Sequence, residues 1–305
     1  MTAIPPIDAM PTRLGRRALL RQWCALLAGG SSLAADALGR TAWGAAAPAA
    51  PPPAPGSPPD KTVQGGVTVQ PTDPAIAAQA VEYPGGVVGT VLGYYAEPSG
   101  TQIYPGLLVI HDVLGLTEHV RDVTRRLARI GYAALAPDLL SHAGGSAKFT
   151  TPQAALNAMQ ALSTYDMFAI LNVSIRYLGA EPLVEKTRLG VLGFGFGGNA
   201  AWEMLASNAD IKVAVVYDSP TPDPGVASQI SKPILAIYGA DDTADTEGLK
   251  ELDDAMKKAG AAWQYKTEPK AGRAFFDDSR TPYVPDAAKD AWKLTVEWLN
   301  KYLRS

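Results

Sequence analysis

The chain has 305 residues, 47% of them hydrophobic and 19% charged, with a formal net charge of -3. That length accommodates one large α/β domain plus additional segments, and a slightly acidic chain with no basic run beyond its N-terminus gives no electrostatic reason to expect nucleic acid. The single cysteine, Cys24, excludes an intrachain disulfide and a cysteine metal cluster.

The first segment reads as an export signal spanning 1–47. Arg13 and the pair Arg16-Arg17 precede a mildly apolar run from Trp23 to Ala35, and Ala45-Ala46-Ala47 offers a small-residue cleavage site. Adjacent arginines before a weakly hydrophobic run point to the twin-arginine route, and so to a periplasmic or secreted protein. Asp36 interrupts the run, which is too short and polar for a membrane span, so none is expected in the mature chain. Cys24 leaves with the leader. A Pro/Ala-rich linker follows over 48–62, with a composition that cannot bury a core, and the folded domain is assigned to 63–305.

Within that domain, 62–80 is weakly patterned and reads as a surface strap. Two β-rich runs around Tyr83-Pro84-Gly85-Gly86 predict a hairpin between Val81 and Tyr95. Leu107-Leu108-Val109-Ile110 is a continuous apolar run, as a parallel strand buried on both faces requires. A helix begins at the N-cap Thr117, presents Val120, Val123, Leu127 and Ile130 on one face, and stops at Gly131. A strand over 132–136, a helical stretch over 152–178 and a strand over 189–193 follow. Then come a helix from 198 to 207, strands at 212–217 and 234–238, a helix over 246–259, a strand at 263–266 and a terminal amphipathic helix over 286–303. This alternation implies a doubly wound, mostly parallel sheet with helices on both faces and a ligand site beyond the carboxyl ends of the strands.

The chemistry concentrates at Gly193-Phe194-Gly195-Phe196-Gly197-Gly198. The spacing is that of a nucleophile elbow, G-x-S-x-G, a strained strand-to-helix turn that lifts its middle side chain above the sheet. The middle residue is Gly195, which has no side chain to lift. The same glycines fit a dinucleotide fingerprint loosely, with Asp218 roughly where an acidic partner would fall. They follow a late strand rather than the first, and that reading is rejected.

The order of motifs resembles the dienelactone hydrolase family of the α/β-hydrolase fold, in its exported branch. The resemblance rests on Val109 to Leu116, Arg121 to Ala128, Gly131 to Leu140, the elbow, Tyr238-Gly239-Ala240-Asp241-Asp242, and Ala271-Gly272-Arg273-Ala274-Phe275-Phe276-Asp277-Asp278. It implies hydrolysis of esters and lactones by an elbow nucleophile with an Asp and a later His, and no cofactor. Carried over residue by residue, the nucleophile position falls on Gly195, the acid on Asp242, the histidine on Arg273, and a carboxylate that tunes the nucleophile on Asp112. The oxyanion-hole donors fall on the backbone N–H groups of Val113 and Phe196.

Glycine supplies no attacking atom, and a guanidinium held protonated cannot act as a general base near neutrality. No histidine follows His142, so none in the C-terminal half can replace the lost one. The expectation is therefore a binding or accessory protein for a small carboxylate, ester or lactone, with Arg273 paired to Asp242 or receiving the ligand's anion. His111 and His142 are candidate ligand contacts. The alternative is hydrolysis by a water activated by Asp112, His111 or Asp242. His119 is expected on an exposed helix face, and the histidine spacing gives no metal site. Placing Ser or Cys at 195 and His at 273 is expected to restore esterase activity if the pocket is otherwise intact.

Overall fold

The computed structural model describes residues 68–304, so the expected signal segment (1–47), the linker (48–62) and Cys24 lie outside the described residues. In chain order the elements are β1 (Ile76–Pro84), β2 (Thr90–Pro98), β3 (Tyr104–Ile110), α1 (Glu118–Arg129), β4 (Ala133–Pro137), α2 (Pro152–Ala161) and α3 (Thr164–Ala180). They continue with β5 (Val184–Phe194), α4 (Phe196–Ser207), β6 (Ile211–Tyr217), β7 (Ile234–Gly239), the one-turn α5 (Thr243–Thr246), α6 (Leu249–Lys258), β8 (Trp263–Glu268) and α7 (Pro285–Leu303).

The strands form one eight-stranded sheet in the order β1-β2-β4-β3-β5-β6-β7-β8. β2 pairs antiparallel with both β1 and β4, and every pair from β4 onward is parallel. Two apolar layers clamp it: strand residues such as Leu108, Ile110 and Val191 pack with α2, α3, α4 and α6, while Leu107, Val109 and Leu192 pack with α1 and α7. β3 is buried throughout, which is why it reads as an unbroken apolar run. From β3 the chain moves outward to β4 and then returns to β5 on the other side. The reversal opens a crevice between the carboxyl ends of β3 and β5, where such sheets bind ligands.

Three elements differ from the sequence expectation, each for a local reason. The stretch 152–178 is two helices, because Ser163 caps the second: its Oγ accepts from the Asp166 N–H at 3.0 Å and donates to the Asp166 carboxylate at 2.7 Å. The helix expected over 246–259 is likewise divided, since Asp242 caps the short α5 and Gly248 takes φ +76° before α6. The strap expected through Ala80 is already strand from Ile76, an edge strand whose many alanines carry little β signal. The residues before it are pinned to α1, where the buried Asp122 carboxylate accepts from the N–H groups of Thr68 (3.0 Å) and Val69 (2.8 Å).

Candidate functional site

The elbow forms as the glycine pattern requires. Gly195 sits at φ +51°, ψ −113°, between β5 and the first turn of α4. That backbone strains any residue with a Cβ, and glycine holds it at little cost. Gly197 lets α4 approach β3: a Cβ there would lie 2.6 Å from the His111 carbonyl oxygen and closer still to that of Ile110.

The space above Gly195 is filled by Asp112. One of its carboxylate oxygens accepts the Phe196 N–H at 2.8 Å. A Cβ built on Gly195 would overlap that oxygen, with the carboxylate carbon at 2.5 Å and the second oxygen at 2.8 Å. Asp112 therefore stands where a nucleophile's side chain would begin and holds one of the two expected oxyanion donors. The other, Val113, belongs to a tight turn closed by the Gly115 N–H on the Asp112 carbonyl at 3.0 Å, and its side chain packs against the apolar layer.

His111 is withdrawn from the site. It is fully buried, Nδ1 donates to the Asp112 carbonyl at 2.7 Å, and Nε2 accepts the Leu139 N–H at 3.0 Å. Both ring nitrogens are committed, and burial pushes its pKa down, so it is a neutral brace for the loop behind Asp112. His142 lies exposed on a single 3-10 turn (Ser141–Ala143) and does not line the cleft. Neither of these two histidines lines the cleft at the strand ends.

The acid and histidine positions are rewired rather than paired. Asp242 caps α5, accepting the Asp245 N–H at 3.2 Å, and Arg273 meets Asp245, not Asp242, at 3.2 Å. Asp245 is buried, and the Arg273 side chain is about half exposed. The expected Arg273–Asp242 pair is thus replaced because α5 carries Asp245 one turn beyond the cap, toward the guanidinium. Burial raises the Asp245 carboxyl to about 6; the charges of Asp242 and Asp112 add to that effect and Arg273 opposes it. One buried oxygen of Asp242 and one of Asp245 have no hydrogen-bond partner.

Two groups take places that the sequence reading did not give them. Asp218, at the end of β6 with φ +44°, accepts the N–H groups of Gly239 (3.2 Å) and Ala274 (3.0 Å) and so ties the Arg273 loop to the sheet. Burial pushes its carboxyl up to about 7, and the charges of Asp242 and Asp245 add to the shift. His119, expected to be exposed, is buried: Nδ1 lies 3.0 Å from an Asp278 oxygen, and the ring packs edge-on to Phe194 and Phe276. Arg126 pairs with the same Asp278 and with Asp122. The fold brings single ligating atoms of His119, Asp277 and Asp278 within 4.8 Å of one another, a grouping invisible in the histidine spacing. Arg126 already supplies the positive charge there. The signals for both groups lay in the Asp277-Asp278 pair and in the aspartate directly after β6.

One cleft joins these parts. Asp112, Gly195, Asp218 and Arg273 line it together with Thr117, His119, Asp277 and Arg280. Its remaining wall is apolar: Leu114 and Val120 with the packed rings of Phe194, Tyr217 and Phe276, whose centroids lie 4.7 to 5.9 Å apart. The cleft holds about 530 Å³ of empty space up to its open mouth.

Sheet order, elbow and strand-end cleft together define an α/β-hydrolase fold. The profile of the "Dienelactone hydrolase family" matches residues 91–303, and the chain belongs to that family. A Methylorubrum extorquens protein named "Putative carboxymethylenebutenolidase" is 30% identical over 226 residues, which cover 70% of this chain and 78% of that protein. A Synechocystis protein of the same name is 32% identical over 221 residues, covering 67% and 88% respectively. The crystal structure described as "Putative Dienelactone Hydrolase" from Klebsiella pneumoniae aligns with a TM-score of 0.69 at 26% identity, over 75% of this chain and 100% of that one. Among the described residues no helix is long and apolar enough to cross a membrane.

Proposed function

We propose that this chain is a dienelactone hydrolase-family protein that has lost covalent ester cleavage and binds a small molecule in the strand-end cleft. The observation that carries this reading is the Asp112 carboxylate on the Phe196 N–H, within the volume a nucleophile would need. Acyl transfer requires an attacking atom, a base, and backbone donors open to the developing oxyanion. At this elbow the first is absent, Arg273 stands at the base position, and one donor is already engaged by an anion. Hydrolysis through an activated water is less well supported, because Asp112 cannot hold the Phe196 N–H and leave it free to polarise a carbonyl. Asp242 spends one oxygen as a helix cap and does not line the cleft, and His111 is bonded at both nitrogens. The arginine pair, apolar run and alanine-rich site within 1–47 support the further proposal that the protein is exported and works in the periplasm or outside the cell.

The test is a panel of aryl esters, simple lactones and dienelactones offered to the purified protein. The expected rate matches that of Asp112→Ala and of buffer. Turnover at enzyme-like rates overturns the proposal. If that turnover is abolished in Asp112→Asn, the water-activation reading takes its place.

A further inference from the structure

His119 leaves a ring nitrogen unused in the cleft. It stands in the first turn of α1, is only 5% exposed, and lines the cleft with its neighbours Thr117 and Val120. Its Nδ1 lies 3.0 Å from an Asp278 oxygen and 3.4 Å from an Asp277 oxygen. The second Asp278 oxygen pairs with Arg126, which is tied in turn to the buried Asp122. Burial works against charge on Asp278, yet the His119 hydrogen bond and the Arg126 charge hold its carboxyl below its ordinary value. The ring is fixed edge-on to Phe194 and Phe276, at centroid distances of 5.8 Å.

These contacts decide the tautomer. With carboxylate oxygens beside Nδ1, the proton of the neutral ring sits on Nδ1 and Nε2 keeps its lone pair. Among the described residues Nε2 has no hydrogen-bond partner, and it is not one of the polar atoms sealed in the interior without one. The ring is otherwise enclosed, so Nε2 meets the cleft. His111 is the contrast, fully buried with both nitrogens bonded to the backbone. Acceptors in such enclosed places are normally satisfied, so Nε2 calls for a donor from outside the chain. The lining carries Asp112, Asp218 and Asp277 together with Arg273 and Arg280, so charge does not single out a cation or an anion. The unpaired nitrogen is what discriminates.

We infer that His119 is the proton acceptor of the cleft, and that the bound molecule offers Nε2 a weakly acidic hydroxyl group of the phenol type. This inference names the ligand class for the proposed binding function and rests on that reading. The ligand O–H hydrogen bonds to Nε2. When that O–H breaks, the proton passes to Nε2, the electron pair stays on the ligand oxygen, and Asp278 faces the imidazolium so formed. An acidic hydroxyl is favoured because its hydrogen bond gains charge as the proton moves. No other bond is made or broken, so the step asks nothing of the Phe196 N–H that Asp112 holds. Asp278 and Arg126 are positioning residues. The esters and lactones expected from sequence have no acidic hydroxyl to offer.

The experiment uses the full chain. Proton–nitrogen NMR of the imidazole rings, assigned through the backbone, is expected to show the proton of neutral His119 on Nδ1. Para-nitrophenol and para-nitroanisole are then compared by calorimetry near neutrality, since they share a ring and only the first has an O–H. Nitrophenol is expected to bind more tightly, with a rise in its yellow ionised absorbance. His119→Gln cannot take up a proton, and is expected to abolish that rise and weaken nitrophenol by about tenfold. Asp278→Asn is expected to reduce the rise while leaving nitroanisole binding unchanged, a split that structural damage would not give. Ligand-free Tm reports whether each variant folds; if neither does, the tautomer and the phenol–anisole contrast in the unaltered protein decide the matter. A neutral ring protonated on Nε2, equal binding of the two probes, no nitrophenol binding at about 1 mM, binding with no rise in absorbance, or an unchanged affinity in a folded His119→Gln each overturn the inference. Tighter binding of benzoate does so too, in favour of a carboxylate. Para-nitrophenyl acetate turnover is measured in parallel. Turnover overturns the non-catalytic reading, whereas nitrophenol binding judges His119 alone.

Discussion

The two halves of the cleft are held together in different ways. On the β3–β5 side the backbone is that of a working elbow, with a positive-φ residue at the turn and glycines where α4 crosses the strand ends; only the side chains differ. On the β7–β8 side the partnerships themselves have moved. Asp242 is a helix cap, Asp245 pairs with the cation, and Asp218 holds the loop that carries it. Backbone-against-backbone packing tolerates almost no change, so the elbow geometry is held whatever side chain stands at its turn. Polar side chains at loop ends can find alternative partners within one helical turn, so the second half is the more adaptable.

Substitutions sharpen this contrast. The largest effect belongs to the conserved geometry: Gly197→Ala drives a methyl into the Ile110 and His111 carbonyls and is expected to cost about 3 kcal/mol or more in urea unfolding. A small effect would mean that α4 has room to retreat, and the elbow would then not be the rigid half. Gly195→Ser comes next, with an expected loss of about 2 kcal/mol from its positive φ and its overlap with Asp112. Adding Asp112→Ala should recover part of that loss, giving a coupling of about 1 kcal/mol in a double-mutant cycle. Strict additivity would show that the two side chains do not compete for one volume. It follows that Ser at 195 with His at 273 stays inactive toward esters until Asp112 is also replaced, a third change the sequence did not call for.

The rearranged half is tested by pH. The Asp218 carboxyl stands at about 7 in the folded chain, against an ordinary 3.8, so the folded state retains a proton that the unfolded chain releases. Its contribution to stability is complete below about 4 and is lost as pH rises through about 7. Asp218→Asn removes this titration, so the variant should gain on the unaltered protein as pH rises from 4 to 8 in denaturant series. A constant difference across that range would place the proton elsewhere. The smallest effect is expected from Arg273→Gln. The guanidinium is half exposed, and such pairs contribute about 0–1 kcal/mol. The loss should be greater above pH 6, where the Asp245 carboxyl is charged, than below it. An equal loss at both ends would mean that Arg273 acts by packing rather than by charge.

What was legible in the sequence follows the same division. The buried strands could be read because β3, β6 and β7 are apolar on both faces, and the elbow because glycine spacing encodes backbone contacts directly. Gly195 at the elbow and Arg273 in the later loop could be read directly from the sequence. The occupancy of the elbow by Asp112 was not, since the residue lies 83 positions before Gly195 and only the parallel pairing of β3 with β5 brings them together. Asp245 was overlooked because a break at Gly248 divides the helix it precedes, and His119 because its periodicity places it beside the apolar stripe rather than on it. Those choices are made by tertiary contacts, which local patterns do not carry.

The Asp112–Gly195 overlap also constrains the protein's evolutionary future. A single codon change that returns an attacking side chain to the elbow meets the carboxylate and lowers stability before it can raise activity. The reverse route must first remove the carboxylate, which strips the Phe196 N–H of its partner with no compensating gain. Each single change is therefore expected to lower stability on its own, so the residues at 112 and 195 constrain one another and can be exchanged without loss only together.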